Sequence, residues 1–159
     1  MRITIICVGK IKEDFYRKAV SEFEKRLSKY CKLEIIEVQD EKTPDGAGKA
    51  IEEQIKEKEA ARILKHVKED GFVYTLEIDG KNPDSVSFAN QINKLAIQGK
   101  SHIQFIIGGS LGLHHSVSKR ADAAISFSKM TFPHQLMRVI LLEQIYRAFQ
   151  INNNGKYHK

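Results

Sequence analysis

The chain of 159 residues, 42% hydrophobic and 29% charged, has the make-up of one compact domain with a full core, residues 1–159, and not of a disordered or fibrous chain. No apolar run approaches the roughly 20 residues needed to cross a bilayer, and Met1-Arg2-Ile3-Thr4-Ile5-Ile6-Cys7 lacks a signal-peptide cleavage pattern, so a cytoplasmic protein without a membrane partner is expected. The formal charge of +6 favours an anionic partner, while Cys7 and Cys31 show neither metal-site nor redox spacing and read as reduced thiols, with no metal expected.

In chain order, Ile3 to Val8 is a continuous apolar run ended by Gly9, which predicts a first strand. Tyr16, Val20, Phe23, Leu27 and Tyr30 then recur at helical spacing, with charged residues opposite. Leu33 to Val38 is the second strand, and Gln39 to Lys49, containing Thr43-Pro44-Asp45-Gly46, is a loop. Ala50 to Lys68 reads as a helix turning Ile51, Ile55, Ile63, Leu64 and Val67 to the core. Phe72 to Ile78 is the third strand, stopped by Asp79-Gly80. Ser85 is placed to cap a helix that Gly99 closes. Ile103 to Ile107 and Ala123 to Phe127 complete five strands. The last helix opens near Thr131 to Pro133, with Pro133 in its first turn, and runs to about Ile151.

Strand and helix alternate, which calls for an α/β fold with a mostly parallel sheet and helices on both faces. Ligands of such sheets bind beyond the carboxyl ends of the strands, where the loops after Ile78, Ile107 and Phe127 lie. The positive charge gathers at the two ends of the chain. Residues 10–32 hold eight basic against four acidic side chains, and residues 119–159 seven against two, whereas residues 40–70 are slightly acidic. A phosphate backbone fits this pattern, and so do solvated helix faces that only maintain solubility.

Two segments of the last third carry chemistry through the main chain. Gly108-Gly109-Ser110-Leu111-Gly112 follows a strand and allows close approach of a ligand to the backbone, but is neither a dinucleotide fingerprint nor a P-loop. Ser126-Phe127-Ser128-Lys129-Met130-Thr131-Phe132-Pro133-His134-Gln135 is a turn leading into a helix. Between them a flat heterocycle can be held by backbone hydrogen bonds, with Leu76, Leu111 and Met130 as apolar walls. The last helix is apolar around much of its circumference, which favours a second contact surface and a homodimer, or else a helix sandwiched within one subunit.

Ile106-Ile107-Gly108-Gly109-Ser110 with Gly112-Leu113, the Ser126 to Gln135 segment with Arg138, and the tail Gly155-Lys156-Tyr157-His158 resemble the SPOUT methyltransferases. Within that superfamily they are similar to the ribosomal RNA large subunit pseudouridine N3-methyltransferases. The resemblance covers the whole chain. It implies a C-terminal trefoil knot, a homodimer, and S-adenosyl-methionine (S-adenosyl-L-methionine) held in the knot loops by Leu76, Gly108, Phe127, Ser128, Lys129, Met130, Thr131 and Phe132. It implies methylation of N3 of a pseudouridine in helix 69 of 23S ribosomal RNA, in the ribosome or the large subunit. Leu111 and Lys159 depart from the family's pattern, and Lys159 cannot reproduce the bidentate fork of the Arg common there.

Removing the N3 proton calls for a general base or a cation that stabilises the anion. His134, Arg138, Tyr157 and His158 are the candidates. His134 is otherwise a helix-terminal residue bonded locally, Arg138 a surface ion pair in place of a hand on a phosphate or carbonyl, and the tail a segment that orders over RNA. Two rivals are a non-enzymatic RNA-binding module and a SPOUT enzyme acting on another RNA nucleotide.

Overall fold

The computed structural model describes residues 1–159. The chain runs β1 (Arg2–Val8), α1 (Asp14–Leu27), β2 (Lys32–Val38), α2 (Lys49–Leu64), β3 (Phe72–Lys81), α3 (Ser85–Ile97), β4 (His102–Ile107), α4 (His115–Arg120), β5 (Ala123–Ile125) and α5 (His134–Asn152). All five strands are parallel, in one sheet ordered β2-β1-β4-β3-β5.

The largely apolar make-up of β1 and β4 follows from this arrangement, because both of their faces are covered. Ile3, Ile5 and Cys7 of β1 join the larger core with Leu27 of α1, Ile92 of α3 and Leu141, Leu142 and Ile145 of α5. Ile6 and Val8 point the other way, to Ala60 and Ile63 of α2 and Val117 of α4. Full burial of each Ile or Leu contributes about 1.5–3 kcal/mol, so these two layers dominate the stability of the fold. Burial also pushes the Cys7 thiol up to about 12 and Cys31 to about 11, which keeps both protonated and apolar at neutral pH. In the centre of β4 the buried Gln104 binds both the N–H and the C=O of Lys68, at 2.8 and 2.9 Å, and so docks the connection after α2.

The elements differ from the sequence expectation in several places, β5 among them, which ends at Ile125 and not at Phe127. α2 stops at Leu64, a turn before Lys68. β3 continues through Gly80 to Lys81, because a register shift lets both Leu76 and Lys81 face Ile125 of β5. The six-residue α4 is too short to show a period. Pro133 is the N-cap of α5 instead of a residue of its first turn. Asp84, and not Ser85, caps α3 by accepting the Ser87 N–H at 2.7 Å. Asp84→Ala is therefore expected to cost about 1 kcal/mol and to lower the melting temperature by about 2–4 °C. An unchanged melting temperature would remove this cap from the account.

Candidate functional site

The edge strand β5 and the inner strand β1 are separated in the sheet by β3 and β4. Ser126 leaves β5 by donating its N–H to the Lys81 carbonyl at 2.8 Å. At the other end of the segment, His134 Nε2 lies 3.6 Å from where a Cβ on Gly9, just past β1, would stand. Residues 126–133 therefore cross the carboxyl ends of β3 and β4, a span of roughly 14 Å at about 4.8 Å per strand. They close one side of a cleft of about 320 Å³, whose other walls are the end of β3 and the Gly-rich turn after β4.

Leu76, Gly108, Phe127, Ser128, Met130, Thr131 and Phe132 all lie on this cleft, together with Leu111. Lys129 does not; it is exposed on the outside of the loop. The crossing segment is braced from within, since Ser126 Oγ donates to the Ser128 carbonyl at 3.0 Å and Ser128 Oγ accepts the Met130 N–H at 2.9 Å. The Gly-rich turn closes through Gly112 N–H to the Gly109 carbonyl at 3.0 Å, with Gly112 at φ +85°, a conformation suited to glycine. Apolar side chains and short backbone loops form most of the wall, a donor set that suits a neutral heterocycle with an apolar body.

His134 is on the cleft, half-buried at the start of α5. Burial, then the Arg138 guanidinium, hold its imidazole below the usual histidine range. Arg138 requires a correction. It is 1% exposed, and its guanidinium reaches inward to Glu37 Oε2 at 2.6 Å and the Gly9 carbonyl at 2.9 Å. Far from extending to a phosphate, it ties α5 to the ends of β1 and β2 directly below His134. The tail lies elsewhere. Tyr157 donates to Glu143 Oε1 at 3.0 Å and packs its ring 4.6 Å from the Arg147 guanidinium, while His158 Nδ1 is 3.0 Å from Arg147 Nη1. Glu143 and Arg147 follow His134 by nine and thirteen positions on α5, or roughly 14–20 Å at about 1.5 Å per residue. One chain thus brings His134 to the cleft and leaves Tyr157 and His158 away from it.

Two carboxylates at the site are absent from the sequence reading. Glu77 lies on the β3 wall, and Glu59 of α2, 5% exposed, reaches the back of Gly109. Ser118 and Glu41, which fix Glu77 and Glu59 there, are remote in sequence, so no local pattern announces either carboxylate as part of the site. Glu53, His114 and His115 also bring donor atoms within 4.8 Å of one another. Lys56 holds Glu53 at 2.7 Å, and His114 Nδ1 caps its own helix by accepting the Ser116 N–H. The contact that joins α4 to α2 is His114 Nε2 to Glu53 Oε2 at 3.8 Å.

An all-parallel sheet with a backbone-walled cleft beyond its strand ends, closed by the segment that enters the last helix, defines an α/β protein with a ligand-sized cleft at its strand ends. A family model described as "Predicted SPOUT methyltransferase" matches residues 1–158, and the chain belongs to that family of SPOUT methyltransferases. It is 60% identical over 159 residues to a "Ribosomal RNA large subunit methyltransferase H" of Bifidobacterium adolescentis, covering 100% of both chains. It is 57% identical, again over the full length of both, to a protein of the same name from Clostridium novyi. Among solved structures, a probable methylase family protein from Haemophilus influenzae Rd KW20 superposes with a TM-score of 0.54 at 13% identity. That match covers 99% of this chain and 70% of the other, and it concerns the fold alone.

Proposed function

We propose that this chain methylates N3 of a pseudouridine in helix 69 of 23S ribosomal RNA, in the large subunit or the ribosome, with S-adenosyl-methionine as donor, and that it acts in the cytoplasm as a homodimer. The observation that carries the reading is the meeting of three loops in one cleft, with His134 on its rim. The full-length relatives named for large-subunit ribosomal RNA support the choice of substrate.

When bound, S-adenosyl-methionine supplies a methyl group already activated by the sulfonium, so the protein has mainly to align and desolvate. Leu76, Gly108 and the Phe127 to Phe132 loop hold the donor. The rigid Ser126–Ser128–Met130 bracing fixes one wall. His134 takes the N3 proton, and Arg138, anchored on Glu37 and Gly9, holds the first turn of α5 in place. The basic residues of α1 and the C-terminal third attract the RNA backbone.

The crossing of residues 126–133 over two strand ends suits the trefoil knot of the family. Leu136, Val139 and Ile140 on α5 stay only half-buried in one chain, a surface that a second copy covers. In such a dimer Tyr157 and His158 of one subunit approach the cleft of the other, which reconciles their distance from His134 within a chain.

Because His134 is held below the usual histidine range, its neutral, proton-accepting form persists to lower pH. The acid limb of kcat/KM is expected below pH 6.5. A limb at or above that value would exclude this imidazole as the base. The decisive test is methyl incorporation into large subunits and ribosomes lacking the modification, mapped by mass spectrometry with and without the pseudouridine. Equal labelling of uridine-only RNA would remove the pseudouridine. If the chain shows no saturable heat with S-adenosyl-methionine, the methyltransferase reading falls and the RNA-binding module stands.

A further inference from the structure

The Gly-rich turn has carboxylates on two sides, and the hydrogen-bond partners of both are uncharged. Glu77 accepts from the Thr75 hydroxyl at 2.6 Å and the Ser118 hydroxyl at 2.9 Å. Glu59 accepts the Glu41 N–H at 3.0 Å, and its Oε1 stands 3.3 Å from where a Cβ on Gly109 would be. Arg62 acts on Glu59 only from a distance, its guanidinium being bound to Glu41 and to the Gln39 carbonyl. Burial pushes the Glu59 carboxyl up, and an incoming cation opposes that shift. In a chain of formal charge +6, the cleft is thus flanked by two carboxylates that no basic side chain hydrogen-bonds.

We propose that Glu77 and Glu59 are specificity-determining residues that make the cleft prefer the cationic methyl donor to its uncharged-sulfur product. The inference rests on the S-adenosyl-methionine reading above. In the transfer the carbon–sulfur bond breaks with its electron pair left on sulfur, and the new nitrogen–carbon bond uses the pair freed by N3 deprotonation. The sulfonium charge disappears. Attraction to the two carboxylates is lost at the same moment, so product binding weakens only after chemistry. At a separation of roughly 10 Å and an effective dielectric of about 20, one unit-charge pair is worth about tenfold in affinity.

The test is calorimetry of S-adenosyl-methionine and S-adenosyl-homocysteine with the full-length chain and with Glu77→Gln, Glu59→Gln and Ser118→Ala. Each Gln variant is expected to reduce the donor-to-product affinity ratio by roughly three- to tenfold. Ser118→Ala, which removes a hydrogen bond but keeps the charge, is expected to leave the ratio at the wild-type value. A ratio unchanged in the Gln variants, with both ligands still bound, overturns the proposal and leaves the carboxylates as braces. Failure of the unmodified chain to bind either ligand overturns the cofactor reading itself. Should one Gln variant not fold, the other decides by the same outcomes.

Discussion

Replacing Gly80 by Ala is expected to lower the melting temperature by roughly 6 °C or more, from a cost of about 3 kcal/mol. A Cβ at this position would lie 2.8 Å from the Ala124 carbonyl carbon and 2.8 Å from both the N and the carbonyl carbon of Ile125. All three are main-chain atoms, so no side chain can rotate out of the way. The place is where β3, after its register shift, returns against β5 and where the Lys81 carbonyl receives the Ser126 N–H. Relief requires the two segments to part, which breaks that bond and loosens the start of the crossing segment. Cofactor affinity should fall together with stability, because Leu76 and Phe127 lie on either side of the contact. Thermal melting followed by circular dichroism measures the effect. A melting temperature within about 2 °C of the parent would show that the backbone has slack there, and the close approach would lose its importance.

Gly80 also marks where the sequence stops being readable. Asp79-Gly80 has the composition of a turn, and a reader of the chain ends β3 there. The strand continues only because Lys81 pairs with Ile125, a contact set by the remote β5. Strands buried on both faces were legible, since Ile3 to Val8 and Ile103 to Ile107 are apolar but for Thr4 and Gln104. The cleft loops were legible for a similar reason, because glycines and short hydroxyl residues mark a backbone-built wall without knowledge of the partner elements. Arg138 was not legible. On a helix with apolar residues on most sides, an arginine reads as surface, and the burial of Arg138 depends on Glu37 and Gly9 far upstream. The tail illustrates the same limit, since its partners Glu143 and Arg147 become neighbours only when the chain turns at Asn153 to Gly155 and folds back on α5. The cap of α3 lies one position before the expected Ser85, because Asp and Ser are both good caps and only the backbone conformation decides.

Gly108→Arg is expected to abolish donor binding, with at least a hundredfold loss of affinity, about 2.7 kcal/mol. Two effects act together. A Cβ at Gly108 would stand 3.0 Å from the Gly112 carbonyl carbon and 3.0 Å from Leu113 Cδ2, tighter than an ordinary contact. The Gly-rich turn must therefore open by a few tenths of an ångström. The long side chain beyond that Cβ then occupies a cleft of only about 320 Å³ and adds a positive charge beside a cationic donor. Gly108→Ala separates the two effects, because it shifts the turn without filling the cleft, and is expected to cost about tenfold. The α5 surface assigned to the dimer lies outside the turn, so size-exclusion chromatography should show the oligomeric state unchanged in both variants. Calorimetry with S-adenosyl-methionine gives the affinity. If Gly108→Arg still binds within threefold of the parent chain, the donor does not sit between the Gly-rich turn and the crossing segment. The placement of the cofactor in this cleft would then have to be abandoned, even though the chain's membership of the family would stand.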